Sequence, residues 1–128
     1  MTRTVLIIED NEQNRYLLTF LLERRGYEVR AAQDGPSGIE LARRFEPAII
    51  LLDIQLPMMD GYAVARALRA QEASAETPIV AVTSYALPGD REKAIDAGCT
   101  GYIEKPIDPE TFVKQMELAL ARGGKTAP

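Results

Sequence analysis

Four carboxylates, two hydroxyls and one lysine stand at the ends of short apolar runs: Glu9-Asp10, Asp53, Thr83-Ser84 and Glu104-Lys105. If the runs are parallel strands of one sheet, these groups meet beyond the strands' carboxyl ends, where such sheets bind ligands. Three carboxylates packed together repel, and at least one stays protonated unless a counter-charge is supplied. A divalent cation resolves that conflict. Oxygen ligands alone favour Mg2+, with Mn2+ or Ca2+ as poorer or accidental occupants. Lys105 would then act as a point charge for phosphoryl oxygens, and the Thr83 hydroxyl would donate to the same group. Asp53, in the middle of the set, is left as a carboxylate nucleophile. The sequence contains no histidine, which excludes imidazole acid–base catalysis, serine–histidine triads and histidine-ligated metals in these residues.

The elements that must position these groups can be read from the pattern. Thr4–Ile8, Glu28–Ala32, Ala48–Leu52, Ile79–Thr83 and Gly101–Glu104 read as strands rich in β-branched residues. Between and after them lie amphipathic stretches: 11–25, 37–45, 61–71, 89–97 and 108–121. Asn11 suits an N-cap and Gly26 a left-handed stop for the first helix. Asp108-Pro109-Glu110 suits the start of the last, as cap, first-turn proline and dipole-matching acid. Residues 72–78 form a polar linker. Leu17, Leu18, Leu21 and Leu22 fall at core-facing positions of the first helix. Five strand–helix alternations imply a parallel sheet with helices on both faces, an α/β fold in three layers. The second strand ends in no reactive group, as expected of a sheet edge.

Bulk properties narrow the function further. The 128 residues fit one domain, expected over 1–122, with 123–128 a frayed tail. A net charge of -4 and an isoelectric point near 4.9 argue against nucleic-acid binding and against adsorption to anionic membranes. No apolar run spans a bilayer, and the start has no signal-peptide layout. Cys99 is the only cysteine, so a reducing cytoplasm is expected.

Glu9-Asp10, Asp53 within Leu52-Asp53-Ile54-Gln55-Leu56-Pro57-Met58-Met59-Asp60-Gly61, Thr83 and Lys105-Pro106 together resemble the receiver domain of two-component response regulators. Any one of these motifs is weak; their combination at successive strand ends is specific. The resemblance covers Val5 to Ala121 and is nearest to single-domain regulators of the chemotaxis and cell-division types. Met1, lying almost directly before the first strand, favours a free-standing protein over a module of a hybrid kinase.

The resemblance implies a flavodoxin-like (βα)5 fold with strand order 2-1-3-4-5. It implies that Asp53 is the phospho-acceptor, and that Asp10, Asp53 and the backbone carbonyl of Gln55 bind Mg2+. Glu9 would act mainly through a metal-bound water. Lys105 and Thr83 would contact phosphoryl oxygens, and Tyr102 would move inward with Thr83 as an aromatic switch. Lys105-Pro106 would be a cis peptide, which X–Pro bonds tolerate. The donor would be a sensor histidine kinase or a histidine phosphotransfer protein. A downstream target would read the surface of the fourth helix, fifth strand and fifth helix, and the protein would be a monomer or weak dimer. Gln55 and Tyr85 occupy places that tune hydrolysis of the acyl phosphate in relatives. Tyr16 and Phe20, one turn apart on the first helix, are expected to form a docking patch for the donor's helices, with Pro106 also at that interface.

Two other functions compete. A phosphatase of the haloacid-dehalogenase type also uses an aspartyl nucleophile with Mg2+, but carries a second acid two residues on, where this chain has Gln55. A flavin- or nucleotide-binding module needs a phosphate-cradling loop after the first strand. Glu9-Asp10-Asn11-Glu12 would instead repel a phosphate arriving without metal.

Overall fold

A computed structural model describes residues 3–84 and 87–122. Tyr85 and the tail 123–128 lie outside the described residues. Five strands, β1 (Thr4–Ile8), β2 (Glu28–Ala32), β3 (Ile49–Asp53), β4 (Ile79–Thr83) and β5 (Gly101–Glu104), pair in parallel in the order β2-β1-β3-β4-β5. Five α-helices connect and follow them: α1 (Glu12–Glu23), α2 (Gly35–Phe45), α3 (Gly61–Ala70), α4 (Asp90–Asp96) and α5 (Phe112–Arg122). The flavodoxin-like α/β fold expected from the sequence is therefore observed.

Strand periodicity divides the core into two. Leu6, Ile8, Ile50, Leu52 and Ala81 pack with Ala42, Val64, Ala65, Leu68 and Ala94 on the side of α2, α3 and α4. The alternate residues Val5, Ile7, Ile49, Leu51, Val80 and Val82 pack with Leu18, Leu22, Phe112 and Met116 on the side of α1 and α5. Every residue of β3 and β4 is buried, as a central parallel strand covered on both faces requires. Leu17 and Leu21, expected in the core, are only half-buried; the α1 stripe that reaches the sheet is narrower and centres on Leu18 and Leu22.

Most element boundaries fall within one residue of expectation, and the exceptions have local causes. The helix read from Ser37 begins at Gly35, because Asp34 caps it by accepting from the Ser37 N–H. Asp60 caps α3 in the same way through Ala63 N–H. The linker after α3 contains a short 3-10 turn, Glu72–Ser74. The last helix begins at Phe112 rather than near Asp108: the Asp108 side chain accepts from Glu110 N–H, and its carbonyl accepts from Thr111 and Phe112. That closes a separate turn ahead of α5.

Candidate functional site

Parallel pairing brings the strand ends to one rim. Asp53 stands beside Val82 and Thr83 beside Glu104 in the register, while Glu9 N–H extends the ladder to Ala32 and Lys105 N–H extends it to Thr83. Period-two alternation places Glu9, Asp53 and Lys105 in phase with the α1/α5 face, and Thr83 with Tyr102 in phase with the other. Glu9, Asp53 and Thr83 are each at most 3% exposed, whereas Asp10 is exposed. One carboxylate oxygen from each of Glu9, Asp10 and Asp53 lies within 4.8 Å of the others. A hollow of about 290 Å3 opens over them, lined also by Asn14, Gln55, Ser84 and Lys105.

The loop after β3 is set by a glycine. A Cβ on Gly61 would lie 2.5 Å from the Ile54 Cα and 2.8 Å from the Asp53 carbonyl oxygen. With no side chain there, Gly61 N–H reaches the Ile54 carbonyl at 2.9 Å and closes the loop. Within that loop Gln55 N–H donates to Asp53 Oδ1 at 2.9 Å, which fixes the rotation of the carboxyl group. On the far side the Lys105–Pro106 bond is cis, as expected.

The charges within this pocket are unequal. Lys105 Nζ lies 2.8 Å from Glu9 Oε1 and 3.4 Å from Asp53 Oδ2. Glu9 also accepts from Asn11 N–H at 3.2 Å and from the Asn14 side-chain amide at 3.4 Å. Burial alone would raise the Glu9 carboxyl, but hydrogen bonds from Asp53, Lys105 and Asn11 hold it below its usual range. Burial and the adjoining Glu9 push Asp53 the other way, to about 7. Lys105 is penalised by burial, yet Glu9 and Asp53 raise it overall. Without a metal, then, Asp53 holds its proton below about pH 7, while Glu9 is ionised. One carboxyl stays protonated, as the crowding argument requires.

That donor set fits Mg2+. It is all oxygen, carries more negative charge than one ammonium balances, and has an exposed side at Asp10 for metal-bound water. Among the described residues these three form the acidic group, and the sulfur of Cys99 is remote in character: buried, with its thiol pushed up to about 12.

Thr83 has a partner that the sequence did not suggest. Gln55 Nε2 donates to Thr83 Oγ1 at 2.5 Å, and Gln55 Oε1 accepts from Ser84 N–H at 3.2 Å. Sequence reasoning gave Gln55 a backbone carbonyl for the metal and a place that tunes acyl-phosphate hydrolysis in relatives, but no contact with Thr83. It also missed Asn14 and Arg15, whose side chains hold Glu9; Arg15 donates to the Glu9 carbonyl at 2.8 Å. Their signal was present, since residues one turn beyond the Asn11 cap must lie over the end of β1. Tyr102 is half-buried against the α2/α3/α4 core and lines a groove of about 250 Å3 with Leu87, Arg91 and Glu104.

The surface residues behave as anticipated in exposure. Tyr16 and Phe20 are 73% and 46% exposed and stack with ring centroids 6.5 Å apart, with the Arg24 guanidinium over Phe20. Pro106 is exposed and shares a groove of about 380 Å3 with Asn14, Ser84, Lys105 and Ile107. No described helix is long and apolar enough to cross a membrane.

The model of the response regulator receiver domain family matches residues 5–117. The polar-differentiation response regulator DivK of Brucella ovis is 40% identical over 120 residues, 94% of this chain and 98% of DivK. Among solved structures, the receiver domain of a sensor histidine kinase from Pseudomonas aeruginosa PAO1 has a magnesium ion coordinated in its active-site cleft. It superposes with a TM-score of 0.86 at 34% identity, covering 94% of this chain and 99% of that one. The chemotaxis protein CheY4 of Vibrio cholerae superposes with a TM-score of 0.89 at 29% identity, covering 93% and 99%. Sequence, fold and the buried acidic pocket therefore agree: this chain belongs to the response regulator receiver family and acts in phosphorelay signalling.

Proposed function

We propose that Asp53 is the phospho-acceptor of this receiver and that Lys105 and Thr83 are its phosphoryl-binding partners. One observation carries the reading: a buried carboxyl, 3.4 Å from a lysine ammonium, stands within a cluster of three carboxylates at the mouth of a parallel sheet. Asp10, Asp53 and the Gln55 carbonyl would hold Mg2+, with Glu9 acting through a metal-bound water. When bound, the ion supplies positive charge for the phosphoryl oxygens; Mn2+ could substitute.

An Asp53 oxygen, deprotonated, attacks the phosphorus of a phosphohistidine. The new O–P bond forms as the N–P bond breaks, and the imidazole leaves with the electron pair. Lys105 remains an ammonium throughout and shifts from its two carboxylates toward the developing charge on the phosphoryl oxygens. That histidine comes from outside these 128 residues, which contain none. A sensor histidine kinase or a histidine phosphotransfer protein would bring it. The stacked Tyr16–Phe20 pair and Pro106 form the surface on which its helices dock. Thr83 follows the phosphoryl group, Tyr102 follows Thr83, and the α4–β5–α5 surface changes for a downstream protein.

Residues 1–122 form the receiver unit, a cytoplasmic signalling module working as a monomer or weak dimer. It binds no nucleic acid or membrane directly. It takes up and releases one phosphoryl group rather than turning over a substrate, since Gln55 stands where an aspartyl phosphatase of the haloacid-dehalogenase type needs its second acid.

The test compares the native chain with Asp53→Asn, each incubated with Mg2+ and a radiolabelled phosphohistidine donor. The native chain should take up label and the variant should not. Equal labelling of the two would overturn the assignment.

A further inference from the structure

The switch region contains a contact that the phosphoryl-transfer reading does not use. The side chain of Gln55 spans from the loop after β3 to the end of β4. A backbone N–H can only donate, so the amide oxygen must face Ser84, at 3.2 Å, and the amide nitrogen must then face Thr83, at 2.5 Å. The orientation of this amide is thus fixed by chemistry. Thr83 Oγ1 accepts from it. The same residue's N–H grips Asp53 Oδ1 at 2.9 Å. Gln55 consequently touches the acceptor carboxyl through its backbone and the switch hydroxyl through its side chain. Gln55 is half-buried and lines the hollow over the carboxylates.

We propose that the Gln55 amide is a positioning residue that sets the resting state of the switch, by bracing Thr83 and Ser84 in the unphosphorylated chain. The inference rests on the reading of Asp53 as acceptor and Thr83 as switch. Thr83 cannot swing toward a phosphoryl group on Asp53 while keeping the Gln55 amide in place. It either gives up that bond or drags the loop after β3 with it. Ser84 N–H is in the same position, so the brace holds two successive residues at the point where β4 gives way to the loop before α4. Activation must therefore overcome the brace, which opposes switching by the net strength of about one hydrogen bond, a factor of about three to ten in the equilibrium.

The experiment uses the full chain and beryllofluoride, a phosphoryl mimic, with Mg2+, read by backbone amide NMR shifts. Gln55→Met keeps the side chain's length and loses both hydrogen bonds. Gln55→Ala loses the bonds and the bulk, so an effect shared by the two comes from the amide and not from packing. In both variants without mimic, the Thr83, Ser84 and Tyr102 signals should move toward their positions in the mimic-loaded native chain. Both should bind the mimic about threefold to tenfold more tightly than the native chain. Native-like resting shifts at those three residues with unchanged or weaker mimic affinity would overturn the brace while leaving the acceptor assignment intact. A native chain that binds no mimic at Asp53 would instead defeat the underlying reading, and the brace with it.

Discussion

Glu9 and Asp53 face one ammonium between them, and the geometry decides which carboxyl keeps its charge. Lys105 is nearer to Glu9, which also collects Asn11 N–H and the Asn14 amide. Asp53 is left with the proton and with a pKa raised to about 7. If Asp53 ligates Mg2+ as proposed, binding must displace that proton, so affinity should depend on pH with a definite sign. Above pH 7 the carboxyl is already ionised and affinity should be level. Below it, each unit of pH should weaken Mg2+ binding by up to about tenfold. Isothermal titration at pH 6 and pH 8, in two buffers of different ionisation enthalpy, should show proton release at the lower pH only. At this scale the sequence was legible where chemistry is tied to strand ends: Glu9, Asp10, Asp53, Thr83 and Lys105 could be named from type and position alone. Asn14 was signalled only by its place one turn beyond the Asn11 cap, and the Gln55 side chain not at all, because its role depends on where a loop side chain reaches in three dimensions.

Among the elements, the loop from β3 to α3 carries the most constraint. Gly61 brings the start of α3 against the Ile54 Cα and the Asp53 carbonyl, both backbone atoms that cannot rotate away. Gly61→Ala should therefore cost about 1–3 kcal/mol by overpacking and displace the Asp53 carboxyl as well. Urea denaturation should show a lower midpoint with an unchanged slope, together with weaker Mg2+ binding. Stability equal to that of the native chain would mean the loop has another way to accommodate a methyl group. Within the same loop Met58 takes a left-handed φ of 69°, exposed at the apex of a tight turn in which Met59 N–H bonds the Pro57 carbonyl. No residue type in Pro57-Met58-Met59-Asp60 signals that conformation. Helix starts show the same division between legible and hidden. Asn11 announced α1, whereas Asp34 and Asp108 compete with neighbouring Gly35-Pro36 and Pro109 signals. Only the hydrogen bonds show that Asp34 caps a helix at once while Asp108 first closes a turn.

Across the whole molecule, the alternating faces of one parallel sheet separate two tasks. Glu9, Asp53 and Lys105 continue the register of the α1/α5 face, and Thr83 and Tyr102 that of the α2/α3/α4 face. On the proposed reading, a phosphoryl group gained on one side would be sensed on the other through the edge where β3 and β4 end, and Gln55 lies across that edge. The architecture was readable from five apolar runs alternating with five amphipathic ones, since a central strand buried on both faces admits little else. The strand order came from the resemblance of the motifs, not from the pattern. Everything downstream depends on Asp53 carrying the phosphoryl group, and that bond can be located chemically. Borohydride reduces an aspartyl phosphate to homoserine, marking the phosphorylated position permanently. After phosphorylation with Mg2+ and a phosphohistidine donor, reduction and peptide mass spectrometry should place homoserine at position 53 alone. Homoserine at position 10 or at another carboxylate, with Asp53 unchanged, would contradict the account.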